Sequence, residues 1–242
     1  MKHCHLRTAV PFLTISVILL WSLGSSAGSE FPIDRFETVL SKFNSSGPPT
    51  YRAYRRLEAG IPKSPKYGWM EVWTEFTPGR GFSYEVLRED GYEYVLNKVL
   101  RGVLKAEAEL IENGQPLRAA LAVRNYRFED GGQTESGLAR LLLHPNRKSE
   151  GIVKGTALIE PEAGTVVRIE GRLVKSPSFW VRDVDVTWKF KRIGDTVVPT
   201  ELSSSARVLF YGRSNFKMTY DYVQVEGRPI DGALKASLRD ER

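Results

Sequence analysis

Apolar and polar residues alternate along most of the chain between residues 151 and 225. Between residues 183 and 191, for example, Val184, Val186, Trp188 and Phe190 take every second position and polar residues take the others. This alternation predicts β-strands with one buried and one solvated face. Short segments rich in Gly, Pro, Ser and Asp separate the strands, and such turns join strands that pair with their neighbours. The pattern therefore predicts a large antiparallel meander with a single apolar face.

The N-terminal part of the chain shows helical and strand patterns in turn. Apolar residues at i, i+3, i+4 and i+7 predict a helix over residues 32–43, with Pro32 in its first turn. A strand rich in Tyr and Arg is predicted over residues 50–58. Residues 69–76 and 82–89 alternate around a loop that contains Pro and Gly, which predicts a β-hairpin.

A longer helix is predicted over residues 92–111. Its apolar stripe includes Leu96, Val99, Leu100 and Val103, and an Asn-Gly pair follows its end. A helix of this length spans about 30 Å, which is about the length of a nine-residue strand. We therefore expect this helix to lie along the sheet as a lid over the apolar face.

Two further segments connect the long helix to the meander. Residues 117–128 are predicted as a strand that ends at Asp130-Gly131-Gly132. Residues 137–143 fit a helix or a strand.

The first 27 residues have the parts of an export signal. Lys2 and Arg7 precede an apolar stretch, and the small residues Ser25 and Ala27 then fit a cleavage site. The stretch is short for a membrane span, although an uncleaved anchor remains an alternative. We expect a periplasmic protein with a cleavable signal peptide at residues 1–27, and a single domain at residues 28–242.

Composition narrows the possible functions. The formal net charge of +6 includes two positive charges of the signal. The basic remainder suits an anionic membrane surface, and ordinary solubilising charge is the alternative. Export argues against nucleic acid as a partner. The only cysteine, Cys4, lies in the signal and His144 is the only histidine outside it, so no thiol nucleophile, no metal site and no cofactor is expected.

Two segments also resemble a known family: GRLVKSPSFWV at residues 171–181 and GRSNFKMTYDY at residues 212–222. Both look like parts of bacterial outer-membrane lipoprotein-sorting-protein-like sequences. The order of signal, helix, hairpin, long helix and meander resembles the LolA/LolB-like fold, and the resemblance covers residues 69–225. It implies a mainly β (α+β) fold, in which a large curved antiparallel sheet forms a half-open barrel with its concave face covered by helices.

The resemblance implies a periplasmic, non-enzymatic carrier or chaperone that is a monomer. Its ligand would be a lipid or the acyl chains of lipoproteins, held in a hydrophobic cavity for transfer toward the outer membrane. The alternative is an envelope protein-interaction or stress-sensor module with a plugged barrel, whose partners are membrane or envelope proteins. An unbroken apolar fill by the lid helix would favour that alternative.

The apolar face of the meander supplies the candidate cavity. Small residues on this face, Gly155, Ala157 and Gly171, leave room for a covering helix or for a ligand. The residues predicted to line the cavity are Val167, Ile169, Leu173, Phe179, Trp180, Trp188, Phe190, Met218 and Tyr220. The alternative is that the lid helix fills the space and that the same residues form an ordinary core.

Three polar or aromatic groups each have two interpretations. Phe179 and Trp180 either gate the cavity or touch a membrane, or they simply begin the next strand. Asp183 and Asp185 could form an acidic pair of a glycosidase or a cation site, although a solvated face is the usual meaning of this spacing. A basic group either meets anionic headgroups or a partner, or is ordinary surface; it comprises Arg52, Arg55, Arg56, Lys63 and Lys66.

Overall fold

The structure, a computed structural model, describes residues 33–45, 48–113, 121–177 and 179–230. The predicted export signal lies outside these residues. The strands are β1 (Tyr51–Gly60), β2 (Tyr67–Thr77), β3 (Gly81–Gly91), β4 (Tyr126–Gln133), β5 (Ala139–Pro145), β6 (Val153–Glu160), β7 (Thr165–Leu173), β8 (Val181–Ile193), β9 (Thr196–Val208), β10 (Gly212–Val225) and β11 (Arg228–Pro229). The helix α1 (Ile33–Ser45) precedes them, and a π-helical segment (Val95–Leu100) continues directly into α2 (Arg101–Glu112).

The strands form one antiparallel sheet. Hydrogen-bonded neighbours follow the order β3-β2-β1-β10-β9-β8-β7-β6-β5-β4, and the short β11 pairs with β10. Within the described residues the outer strands β3 and β4 do not pair with each other, so the sheet stays open. The predicted fold class, a large antiparallel sheet with helices on it, is confirmed.

The long helix contains a π-helical turn that the sequence pattern did not predict. In a π-helix the backbone bond joins residues five apart, so Val95 and Leu100 come to one face, and both are buried together with Leu104. Of the predicted stripe, Leu96, Val99 and Val103 are only partly buried. The extra residue in the π turn therefore shifts the buried face away from the face that a regular α-helix would present.

The strand predicted over residues 117–128 is correct only at its end, where residues 126–128 belong to β4, and residues 117–120 lie outside the described residues. Residues 121–125 form a turn instead of a strand, because the backbone N–H groups of Asn125 and Tyr126 both donate to the carbonyl of Ala122, at 2.8 and 3.0 Å. The strand β4 instead runs through the predicted stop at Asp130-Gly131-Gly132, where its pairing with β5 slips by a bulge. The segment left open at residues 137–143 belongs mostly to β5.

A continuous row of apolar side chains crosses eight strands on one face of the sheet. Each residue lies directly opposite the next on the neighbouring strand, so all of them point to the same side. From β5 to β2 the row is Leu141, Ala157, Ile169, Trp188, Leu202, Met218, Leu57 and Met70. The row consists of residues from the apolar positions of the alternating sequence pattern, one from each strand.

Two hydrophobic clusters cover the two ends of this row. We call the first the α1 cluster, in which Phe36, Val39 and Leu40 of α1 pack against the sheet from β4 to β7. We call the second the α2 cluster, in which Leu100 and Leu104 pack against β1, β2 and β10. Each helix therefore stabilises one end of the sheet.

Two glycines bring β6 and β7 unusually close together. A β-carbon on Gly155 would overlap the backbone carbonyl oxygen of Glu170 and crowd the Cα of Gly171, its cross-strand partner. The sequence pattern predicted that these glycines leave room for a helix or a ligand. That expectation was wrong, because the neighbouring backbone itself occupies the space.

We predict that Gly155→Ala lowers the free energy of unfolding by about 2 kcal/mol, because the new methyl group cannot be accommodated without moving β7. Gly102→Ala is the matched control, since a β-carbon there meets no atom within 4 Å. In a helix this replacement should stabilise the protein by about 0.5–1 kcal/mol. Urea denaturation measures both, and equal effects would contradict the close approach.

Candidate functional site

The middle of the apolar row is its least covered part. Trp188 flanks the α1 cluster and Leu202 flanks the α2 cluster, and the two residues are directly opposite each other across β8 and β9. Both side chains are half-buried, whereas Ile169 and Met218, on either side, are 6% and 2% exposed. The least covered part of the row therefore lies between the part that α1 covers and the part that α2 covers.

A second cross-strand pair extends this boundary. Val186 lies opposite Ser204, and each is two residues from a member of the first pair, so that all four side chains share one face. Ser204 is also half-buried. We call these two pairs, Trp188–Leu202 and Val186–Ser204, the seam.

The structure separates the predicted cavity residues into several environments. Ile169 is buried in the α1 cluster, with Phe190 packed against it, and Phe190 contacts the ring of Phe43 on α1 edge to face at 5.3 Å. Met218 is buried in the α2 cluster, and Tyr220 packs against it. Of the predicted lining residues, only Trp188 belongs to the seam.

Val167 does not occupy the position that the sequence pattern gave it. A bulge in the pairing of β6 with β7 leaves Val167 without a partner, since Leu158 lies opposite Arg168 and Ile159 lies opposite Val166. Val166 consequently takes the core position, at 1% exposure. Further along β7, Leu173 packs with the buried valines 153, 184 and 186.

Phe179 and Trp180, which were predicted to line the cavity, lie apart from the seam. They precede β8 and are 72% and 55% exposed. Trp180 is eight residues from Trp188 along the chain, which corresponds to about 26 Å of strand. The structure therefore does not bring them together with the seam.

An ion pair between the buried Arg55 and the partly exposed Glu107 connects α2 to the sheet. Arg55 of β1 is 1% exposed, and its Nη1 and Nη2 donate to the two carboxylate oxygens of Glu107 on α2 at 2.6 and 3.0 Å. Nη2 also donates to the hydroxyl of Tyr51. Within the described part of the chain, Arg55 Nε has no hydrogen-bond partner. This pair joins the helical cover to the inward face of β1.

Aromatic rings enclose the Arg55 guanidinium. Its Cζ lies 4.4 Å from the ring centroid of Tyr220, 5.3 Å from Phe82 and 5.5 Å from Tyr51, distances typical of cation–π contacts. Burial alone would lower the pKa of Arg55, but the Glu107 carboxylate raises it above its ordinary value. Arg55 therefore stays cationic beneath the helix.

The sequence analysis placed Arg55 in a basic surface group, and the structure corrects this. Arg55 alternates with Ala53 and Leu57, which are both fully buried, so it lies on the inward face of β1. This alternation along β1 is visible in the sequence, and it could have identified Arg55 as an inward-facing residue. Glu107 and Leu202 were also missed, because neither lies in a distinctive motif.

The opposite face of the sheet carries cross-strand ion pairs. Asp185 accepts hydrogen bonds from Nε and Nη2 of Arg172 at 2.8 and 3.2 Å, and Asp183 lies 3.6 Å from Arg207. The hydrogen bond from Arg172 lowers the pKa of Asp185, so this carboxyl stays ionised at neutral pH. These contacts match the solvated-face interpretation of Asp183 and Asp185.

Neither a metal-binding group nor a membrane-spanning helix is found among the described residues. They contain no group of three or more His, Cys, Asp or Glu residues that could hold a metal ion. No helix within the described ranges is long and apolar enough to cross a membrane.

Comparisons with known proteins give distant structural likenesses. No protein-family model and no curated protein matches the chain. A LolA superfamily protein from Nitrosomonas europaea is similar over 80% of this chain and 93% of its own, with 10% identity and a TM-score of 0.40. A DUF1329 family protein from Desulfovibrio piger is similar over 78% and 91%, with 9% identity and a TM-score of 0.41. The LolA superfamily is the family that the sequence resembles.

We predict that Glu107→Ala destabilises the protein by about 3 kcal/mol, because it leaves the buried Arg55 guanidinium without its counterion. Glu109→Ala is the matched control, since Glu109 lies on the same helix and is exposed. Urea denaturation gives the two free energies. Amide hydrogen exchange along α2 should accelerate in the Glu107 variant alone; similar effects in both variants would show that the ion pair does not hold the helix.

Three tyrosines near Arg55 should make the fold sensitive to alkali. Burial raises the pKa values of Tyr51, Tyr220 and Tyr222 above their ordinary value. The unfolded chain loses these protons near pH 10 while the folded chain keeps them, so stability falls as the pH rises above about 10. Tyr222→Phe should reduce the fall in melting temperature between about pH 9 and 11. Tyr94→Phe, at a position 61% exposed, should leave it unchanged, and identical pH profiles for the two variants would contradict this assignment.

Proposed function

We propose that the chain is a periplasmic, non-enzymatic carrier that binds a lipid or the acyl chains of lipoproteins along the seam. The observation that carries the proposal is the half-buried Trp188–Leu202 pair in the middle of an otherwise buried apolar row. The partly open stretch of this row between the two helices offers an apolar surface to an acyl chain. The carrier role implied by the sequence resemblance agrees with this geometry.

The energetics of acyl-chain burial are sufficient for a carrier. Each CH₂ group removed from water contributes about 0.8 kcal/mol, so a chain of about sixteen carbons gains on the order of 10 kcal/mol before its entropy loss is subtracted. Partial burial would still leave an affinity useful for reversible transport. The ligand should therefore bind without any covalent step.

The mechanism that we propose is a reversible displacement of the helical cover. Movement of α2 away from the sheet would expose Met218 and Leu57 beside Leu202, and would thereby lengthen the apolar surface. It would also separate Glu107 from Arg55, so the ion pair opposes opening. Arg55 Nε, which is buried without a partner among the described residues, offers a donor to an ester or carboxylate oxygen of the ligand.

One observation favours a second function, an envelope protein-interaction or stress-sensor module. At the α2 end, Leu100 and Leu104 are fully buried and fill the space above the sheet. If apolar side chains of the helical cover also filled the space above the seam in solution, no ligand could enter. The experiment below separates the two functions.

We predict that native mass spectrometry of the protein, isolated from the periplasm without detergent, shows a lipid-sized adduct. Ser204→Phe should reduce its occupancy at least about tenfold, because the added ring fills the seam beside Val186. Ser203→Phe is the matched control, since Ser203 is the next residue on the same strand and points to the opposite face.

Solvent extraction followed by lipid analysis would identify the ligand class. Circular dichroism should confirm that both variants keep the fold. A protein without an adduct that also fails to take up added phospholipid or acylated peptide would contradict the carrier and support the interaction module. Equal adduct loss in both variants would place the ligand elsewhere.

A further inference from the structure

Two loops at one end of the sheet bring four exposed aromatic side chains together. Phe179 and Trp180 precede β8, and Phe210 and Tyr211 form the turn between β9 and β10; they are 72%, 55%, 90% and 54% exposed. The ring of Trp180 lies 5.4 Å from that of Phe179 and 6.3 Å from that of Phe210. The backbone N–H of Leu209 donates to the carbonyl of Trp180 at 2.9 Å and joins the two loops. We call these four residues the aromatic tip.

The backbone at the aromatic tip is strained. Phe210 has a φ of 68°, in the left-handed region that bulky residues rarely adopt. Such strain has a free-energy cost, and here the ring of the strained residue remains 90% exposed. Packing within the protein therefore gives no explanation for a phenylalanine at this position.

A row of three arginines lies directly behind the aromatic tip. Arg182 on β8 is opposite Arg207 on β9, and Arg207 is opposite Arg213 on β10. All three residues are exposed, and Asp183 contacts Arg207 at 3.6 Å. Like charges directly opposite each other destabilise a sheet, so this row does not serve to hold the three strands together.

A lysine extends the positive charge to the aromatic tip itself. Lys66, which precedes β2, lies with its Nζ 3.9 Å from the ring centroid of Tyr211. The side chain of Ser214 donates to the carbonyl of Gly60 at 3.2 Å and thereby ties the end of β1 to the start of β10. The aromatic tip and its positive charges consequently form one surface at one end of the sheet.

We propose that the aromatic tip and the arginine row dock the protein on the surface of a bilayer that contains anionic phospholipids. Aromatic rings favour the boundary between headgroups and hydrocarbon. The three arginines lie in the strands directly next to the aromatic loops, where they can pair with lipid phosphate groups. The positive charge of the row complements the negative charge of such a surface. A protein partner fits less well, because these aromatics project from loop ends, whereas aromatic anchors of protein interfaces insert into pockets enclosed by a rim.

Docking here is independent of whether the seam binds a ligand. The aromatic tip is continuous with β8 and β9, the two strands that carry the seam. In a docked molecule, the ends of β8 and β9 that carry the aromatic tip would therefore face the membrane. This orientation suits exchange of an apolar ligand, but the docking itself requires only the exposed loops.

The test is vesicle co-sedimentation of the full protein with equal parts of phosphatidylglycerol and phosphatidylcholine, compared with phosphatidylcholine alone. We expect binding to the anionic vesicles that weakens as salt is added. R182Q/R207Q/R213Q should weaken it about 100-fold, since each cation near an anionic surface contributes about fivefold. F179S/W180S/F210S should also reduce it, because the apolar contacts are lost.

Matched controls carry the same changes elsewhere. R80Q/R127Q/R168Q removes three positive charges away from the aromatic tip, and L110S removes an exposed apolar side chain of α2. Both controls should bind like the unchanged protein. All variants share one N-terminus, so any contribution of residues 1–27 to binding cancels in the comparison.

A second measurement does not depend on the multiple variants folding. Tryptophan fluorescence of the vesicle-bound protein should be quenched by brominated phospholipid, and Trp180→Phe should abolish most of this quenching. The proposal is overturned if the unchanged protein does not bind anionic vesicles, or if the arginine variant binds as tightly as its control. Capture of an envelope protein through the aromatic tip without vesicle binding would also overturn it.

Discussion

The fold depends on one constraint, which is that a sheet with a single apolar face must have that face covered. The row from Leu141 to Met70 crosses eight strands, and its burial is the main source of stability in a sheet of this kind. Two separate helices supply the cover, one at each end. The seam is therefore a direct consequence of covering a wide face with two helices.

The α2 end of the sheet is held by an ion pair, Arg55–Glu107, in addition to apolar packing. Desolvation offsets much of the attraction within a buried ion pair, so such a pair adds little net stability even though it fixes geometry. A cover held partly by this contact and partly by Leu100 and Leu104 has one defined closed position. In the mechanism that we propose, a ligand that replaces the lost apolar contacts displaces this cover. This combination suits a reversible carrier better than a permanently packed core.

The sequence predicted the strands well where alternation was strict, as along β8, and less well where a backbone irregularity intervened. The bulge at Val167 moved Val166 into the core, and the π turn moved Val95 onto the buried face of the long helix. Periodicity assumes regular geometry, so an inserted residue changes which side chains face the core on one side of the irregularity. The prediction for Arg55 was wrong for another reason. An arginine was expected at the surface, although the alternation along β1 placed this residue on the inward face.

Features created by strand register could not be predicted from the chain alone. Trp188 was identified as apolar lining, but its partner Leu202 lies among serines, and only the pairing of β8 with β9 brings the two together. The arginine row is similar, since Arg182, Arg207 and Arg213 are distant in sequence and adjacent in the sheet.

The most direct test of the account is photo-crosslinking with a phospholipid that carries a diazirine along its acyl chain, followed by peptide mapping of the labelled protein. The account predicts that the label attaches to β8 and β9 at the seam, and that Ser204→Phe removes it while Ser203→Phe does not. Labelling confined to the aromatic tip, or no labelling of the seam at saturating lipid, would contradict the claim that the seam is a lipid-binding site.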